Sequence, residues 1–98
     1  MFIDYGGRSL CDLILLIAQG DREALRTAYL RVSPRINTRL VVAFGAEVAE
    51  DMLVEIFVRV WIDAQSLDGQ GFDAEVDDPD SWLDARVNEV MRAAARRH

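Results

Sequence analysis

The sequence predicts an all-α fold, a compact four-helix bundle in a single domain. Three observations predict it. Apolar residues recur at helical spacing, most densely where Met52, Leu53, Ile56, Phe57, Val60, Trp61 and Ala64 form one wide stripe. The chain has only two prolines and no marked alternation of apolar and polar residues of the kind that marks a half-buried strand. Its 98 residues suffice for one modest core and not for two.

Met1 to Arg8 contains Gly6-Gly7 and little pattern, and it reads as a loose end before a domain over residues 9–98. Ser9-x-x-Asp12 has the form of a helix-start box. The first helix is expected to run to Gln19 and stop at Gly20. Asp21 is placed to cap a second helix. There Leu25, Tyr29, Val32, Ile36, Leu40 and Ala43 step by three or four along one face. The phase holds across Ser33-Pro34, which favours one kinked helix from Arg22 to Phe44 over a tight break. Arg31, Arg35 and Arg39 share a flank, as a solvated basic edge or as partners for acids of the next helix.

Gly45 ends that helix. No Gly or Pro then interrupts the chain from Ala46 to Leu67, and Glu47, Glu50 and Asp51 crowd the first turns, where the helix dipole favours negative charge. Residues 67–80 hold six acids and no base among Gly and Pro, so they read as a long loop, mobile from Asp68 to Asp78. Asp80 or Ser81 is the expected cap of a fourth helix, with Trp82, Leu83, Val87, Val90, Met91 and Ala94 on its apolar face. Arg92, Arg96 and Arg97 suit its C-terminal end.

The formal net charge is −6. Residues 1–45 carry six Arg and four acids, whereas residues 46–98 carry five Arg and thirteen acids. An acidic second half is a poor match for unaided binding to nucleic acid. Cys11 is the only cysteine, which fits a reducing cytoplasm and leaves no internal disulfide. The longest apolar run, Leu13 to Ala18, is too short to span a membrane, and no signal peptide is legible. There is no phosphate-binding glycine loop, dinucleotide fingerprint or metal-ligand motif. The only histidine is His98, so catalysis has no residue to rest on and no cofactor or metal is expected.

Several stretches carry a family resemblance. Ala49-Glu50-Asp51, then Glu55, Phe57, Arg59, Val60 and Trp61, resembles the A-E-D-L-V-Q-E-V-F-L-R-V-W segment of region 2 of extracytoplasmic-function (ECF) sigma factors. Asp12 to Asp21 resembles the opening D-L-x-x-x-I-A-x-G-D of that family. Glu23-Ala24-Leu25, Tyr29, Pro34-Arg35 and Ser81-Trp82-Leu83 fall in the same order as their counterparts. The likeness spans residues 10 to 97 and departs around the long loop and the last helix.

The resemblance implies a helical domain that docks on RNA polymerase and melts promoter DNA. It implies a contact between the third helix and a coiled coil of the polymerase β′ subunit, through Asp51, Glu55 and Arg59. Val54 stands where the family has Gln. It implies weaker promoter contacts at Arg86, Asn88, Arg92, Arg96 and Arg97, and promoter binding only together with polymerase. Asp84 and Glu89 put negative charge where phosphate should pass. The family's second helical domain, which reads the upstream promoter element, has no counterpart in these residues. A different expectation stays open: a sigma-like protein that binds an anti-sigma factor or another regulator without reading DNA.

Spacing alone adds one more expectation. Leu53, Ile56, Val60 and Ala64 set the core direction of the third helix, while Val54, Val58 and Ile62 form a second apolar line roughly 150° away. A helix apolar on both sides is either fully enclosed or partnered. Four short helices enclose it poorly, so a partner surface is expected there, rimmed by Asp51, Glu55 and Arg59. A homodimer is one way to cover it.

Overall fold

The computed structural model describes residues 7–67 and 78–97. Four helices form a bundle: α1 (Leu10–Ala18), α2 (Arg22–Phe44), α3 (Ala46–Gln65) and α4 (Pro79–Arg97). No strand occurs among the described residues. Most of the expected loose end and residues 68–77 of the expected mobile loop lie outside them.

Each helix end has a local cause. The Ser9 hydroxyl accepts the Asp12 N–H at 3.1 Å and opens α1. At the other end Gln19 is the cap, so α1 stops one residue earlier than expected. The Gly20 N–H reaches the Ile17 carbonyl at 2.9 Å and the Asp21 N–H reaches the Leu16 carbonyl at 3.0 Å, the paired bonds of a Schellman closure. Gly20 supplies the positive φ that this closure needs. Asp21 at once starts α2, its carboxylate accepting from the Glu23 and Ala24 N–H groups.

α2 passes through Pro34 as one helix. Proline has no N–H, so the Leu30 carbonyl lacks its usual donor. Leu30 is exposed, which leaves that carbonyl to water. The buried face runs through Ala24, Ala28, Val32, Ile36 and Leu40, with Leu25 and Tyr29 half-buried beside it. Ala43, expected on this face, is exposed, because the larger Phe44 turns back onto the core while Val41, Val42 and Ala43 face outward.

Gly45 makes the α2–α3 corner by itself. Its N–H closes α2 on the Val41 carbonyl at 2.9 Å, and its own carbonyl accepts the Ala49 N–H at 3.0 Å to open α3. Its φ of 90° and ψ of 159° belong to a region that only glycine enters readily. The chain reverses at this one-residue connection, so that Tyr29 of α2 meets Phe57 of α3.

The core collects Leu13, Ile14 and Ile17 of α1 around Ile56, Val60 and Ala64 of α3, closed by Trp82, Leu83, Val87 and Val90 of α4. Ile56 and Val87 are fully enclosed, and truncating either to Ala is worth about 2–5 kcal/mol. No charged or polar residue is buried among the described ones. The Gln65 side chain, half-buried, donates to the Ile17 carbonyl and ties α3 to the end of α1.

α4 begins at Pro79, one to two residues ahead of the expected cap. Proline suits the first helical position because no donor is needed there. The cap is Asp78: its carboxylate accepts the Ser81 N–H at 3.2 Å and the Ser81 hydroxyl at 2.8 Å. The Ser81 hydroxyl, then the Ser81 N–H, hold the Asp78 carboxyl below the ordinary Asp range. Asp80 and Ser81 lie inside the first turn.

Two outcomes follow for these junctions. Gly45→Ala is expected to destabilise the domain by about 1–3 kcal/mol in chemical denaturation, through backbone strain alone, since a Cβ there meets no neighbour. A folded-state pKa below the unfolded value means that the Asp78 cap contributes in full at neutral pH and fades as pH falls through the folded value. Asp78→Ala is therefore expected to unfold at lower denaturant than the parent at neutral pH, with the gap closing in acid. A gap that is constant with pH would assign the effect to something other than the carboxylate.

Candidate partner-binding surface

The antiparallel α2–α3 hairpin builds an apolar surface on its outer side. Tyr29 sits against Phe57, Leu25 and Trp61 line the same groove, and Val41 and Ala46 line a second pocket towards the corner. The Tyr29 and Phe57 rings meet edge to face, with centroids 4.9 Å apart. Between the helices lies a shallow groove of about 390 Å³, lined by Leu25, Tyr29, Val54, Phe57, Val58 and Trp61. Among the described residues, no charged side chain lines it.

Val54 and Val58 of this groove and Ile62 beyond it form one row, 58%, 51% and 59% exposed. They occupy the second line of α3, opposite the face that packs on the core. Burying one such side chain is worth about 1.5–3 kcal/mol, so an exposed row of three forgoes a sizeable fraction of a small domain's stability. Asp51 is exposed at the N-terminal end of the row.

The remaining members of the expected polar rim lie elsewhere. Glu55 and Arg59 face α4, where Glu55 pairs with Arg97 at 3.6 Å and Arg59 with Glu89 at 3.7 Å. Asp51 alone, of the three polar residues expected at the rim, makes no ion pair with a described residue.

The expected promoter-contact residues divide in the same way. Arg86 is the most covered of them. Its guanidinium lies 4.6 Å from the centre of the Trp82 ring and its Nε lies 3.2 Å from an Asp63 oxygen. That last contact is an ion pair without hydrogen-bond alignment, since the Nε is buried and has no well-directed acceptor. Asn88 accepts from Arg39 at 3.0 Å. Arg97 is held by Glu55, while Arg92 and Arg96 are exposed. The Arg92 Nε returns to the Asn88 carbonyl at 3.3 Å.

The arginine flank of α2 also bonds to α4. Arg35 pairs with Asp80 at 3.6 Å and Arg39 with Asp84 at 3.7 Å. The expectation of partners on the next helix is corrected for these two: their acids come from the fourth helix, which lies across that flank. All of these pairs are largely solvent-exposed except Arg86–Asp63, and exposed pairs are worth about 0–1 kcal/mol each.

Leu25, Tyr29, Phe57 and Trp61 were legible only as core positions. Two of the six residues that line the groove belong to α2, and no spacing within α3 points to them. Among the described residues, no group of His, Cys, Asp and Glu is arranged to hold a metal ion, and no helix is long and apolar enough to cross a membrane. Comparison of the chain with protein families, with curated proteins and with solved structures returns no match.

The charge layout of α4 generates one prediction. Asp80, Asp84 and Glu89 are interleaved with its arginines, and two of those arginines already face carboxylates. The domain alone is expected to bind random duplex DNA at physiological salt with a dissociation constant above about 100 μM. Submicromolar, salt-sensitive binding in an anisotropy titration would show that the paired arginines are freely redirected to phosphate.

Proposed function

We propose that this chain is a protein-binding transcription module of the ECF sigma region 2 type, which docks on core RNA polymerase through the outer face of α3. One observation carries the reading: the row Val54, Val58 and Ile62 is apolar, exposed, and continuous with an apolar groove. It supports docking on a helical partner such as the β′ coiled coil, because a row at i, i+4, i+8 matches a helix laid alongside it. The residues of the resemblance sit on the same helix, with Asp51 exposed at the end of the row. Glu55 and Arg59 are held only by exposed ion pairs, which a partner exchanges at small cost. The module acts by binding rather than by catalysis, and its place is the cytoplasm, where polymerase is.

A second reading has its own support. Arg86 and Arg97 are engaged by Asp63 and Glu55, and Asn88 is engaged by Arg39. That favours a sigma-like protein that occupies an anti-sigma factor or another regulator and does not read promoter DNA.

Val58→Asp tests the leading reading. It places a charge in the middle of the apolar row, and it is expected to weaken binding to core polymerase by more than about tenfold while the helical circular-dichroism signal is kept. Absence of binding by the unaltered chain overturns the reading. Polymerase binding without promoter opening favours the second one. Unfolding of the variant would place Val58 in the core, in which case Arg59→Ala and Asp51→Ala carry the same test on polar residues of α3.

A further inference from the structure

We propose that the pocket between α2 and α3 at the corner end of the hairpin receives an arginine side chain of a partner protein, with Glu50 as its counter-charge. The pocket holds about 380 Å³ and shares Tyr29 with the apolar groove. Its chemistry differs from that of the groove. Ser33 and Asn37, one turn apart on α2, and Glu50 on α3 bring polar groups to it, while Pro34 and Val41 supply apolar wall. Among the described residues, Glu50 is the one charge that lines it, and no base does.

These polar groups are left over by the fold. Ser33 and Asn37 are half-buried, and Glu50 is exposed. None of the three side chains has a hydrogen bond or ion pair with a described residue. Comparable groups elsewhere in the bundle are engaged. Thr27 and Thr38, on the same helix, donate their hydroxyls to the Glu23 and Pro34 carbonyls at 2.9 and 3.0 Å. Asn88 accepts from Arg39, and Glu55 and Glu89 each face an arginine. Half-buried polar groups without a protein partner gain most from a ligand that satisfies them.

The set of groups fixes the chemistry of the ligand. An anion is repelled by Glu50, the more so because Glu47 and Asp51 are exposed on neighbouring turns. A metal ion is poorly served, since no group of three acids, Cys or His is arranged for one among the described residues. One carboxylate beside two neutral acceptors suits a cation with several N–H donors. Arginine fits better than lysine: its planar fork bonds the carboxylate through two N–H groups and keeps others for Asn37 and Ser33. Its methylene stem lies along Pro34 and Val41.

The neighbouring groove says what carries the arginine. Ser33 and Asn37 lie two turns beyond Leu25 and Tyr29 on α2, so pocket and groove form one channel with a polar and an apolar part. A polypeptide that sets arginine in the first sets an apolar side chain in the second, which a free cation does not. The inference does not rest on the polymerase reading, since it concerns which side chain is received and not which protein brings it.

The experiment follows the backbone and side-chain amide signals of the full chain by NMR while N-acetyl-arginine N-methylamide is added. The citrulline compound, of the same shape without the charge, is the control. Saturable shifts at Ser33, Asn37 and Glu50 are expected, with a dissociation constant of about 1–10 mM. Citrulline is expected to bind about tenfold more weakly. Glu50→Gln, an exposed change that leaves the fold intact, is expected to weaken arginine binding about tenfold, while Glu47→Gln, outside the pocket, leaves it unchanged. A helical peptide with leucine two turns from arginine is expected to bind at least about tenfold more tightly and to extend the shifts to Val54 and Val58. Failure to saturate, equal binding of citrulline, or equal losses in the two Gln variants overturns the proposal. A peptide that binds no more tightly than the single residue overturns the protein source. Shifts of the same residues that grow with protein concentration alone assign the arginine to a second copy and overturn a separate partner.

Discussion

The architecture depends on the single-residue corner at Gly45. A helix of 23 residues and a helix of 20 are joined with no slack, so their relative direction and level are fixed by one backbone conformation. Everything on the outer side inherits that alignment. The Tyr29–Phe57 ring contact and the groove between the helices are both products of which α2 residue faces which α3 residue. The inner side inherits it as well, since α1 and α4 pack on the core face of the same hairpin.

Polar and apolar surfaces have different fates in this bundle. Polar residues of α3 that face sideways are spent on α4: Glu55, Arg59 and Asp63 each meet a residue of opposite charge there. The apolar row on the outer face has no such partner among the described residues. The outer face of α3 is therefore mainly apolar, with exposed Asp51 at the end of the row. Arginine suits both duties, since its planar group stacks on Trp82 and faces a carboxylate at once.

The helices were legible because their signals are local. Ser9, Gly20, Asp21 and Gly45 each announce a boundary through one conformational or hydrogen-bonding property, and the predicted span of α2 from Arg22 to Phe44 is the observed one. The start of α4 was misplaced because Asp78-Pro79 was read as loop punctuation, when proline also serves as a first helical residue. The exposure of Val54, Val58 and Ile62 was legible from rotation about one helix axis. The pairing of Glu55 and Arg59 with α4 was not, because it depends on how two helices distant in sequence are set against each other. The contribution of Leu25 and Tyr29 to the groove was hidden for the same reason: within α2 they look like two more core positions.

The connections between helices differ greatly in length, and that has a consequence for how the domain holds together. α1 and α2 are separated by three residues and α2 and α3 by one, whereas thirteen separate α3 from α4. In the unfolded chain, bringing together elements thirteen residues apart costs about 2.3 kcal/mol more in chain entropy than bringing together elements one residue apart, on logarithmic scaling. α4 must recover this through Trp82, Leu83, Val87 and Val90, helped by the Arg86–Asp63 contact, the Arg39–Asn88 hydrogen bond and exposed ion pairs. The first three helices form a locally connected unit, and the fourth is the element with the smallest margin. Partial opening of this domain is thus the departure of α4, which would uncover the inner side of α3 while leaving its outer side unchanged.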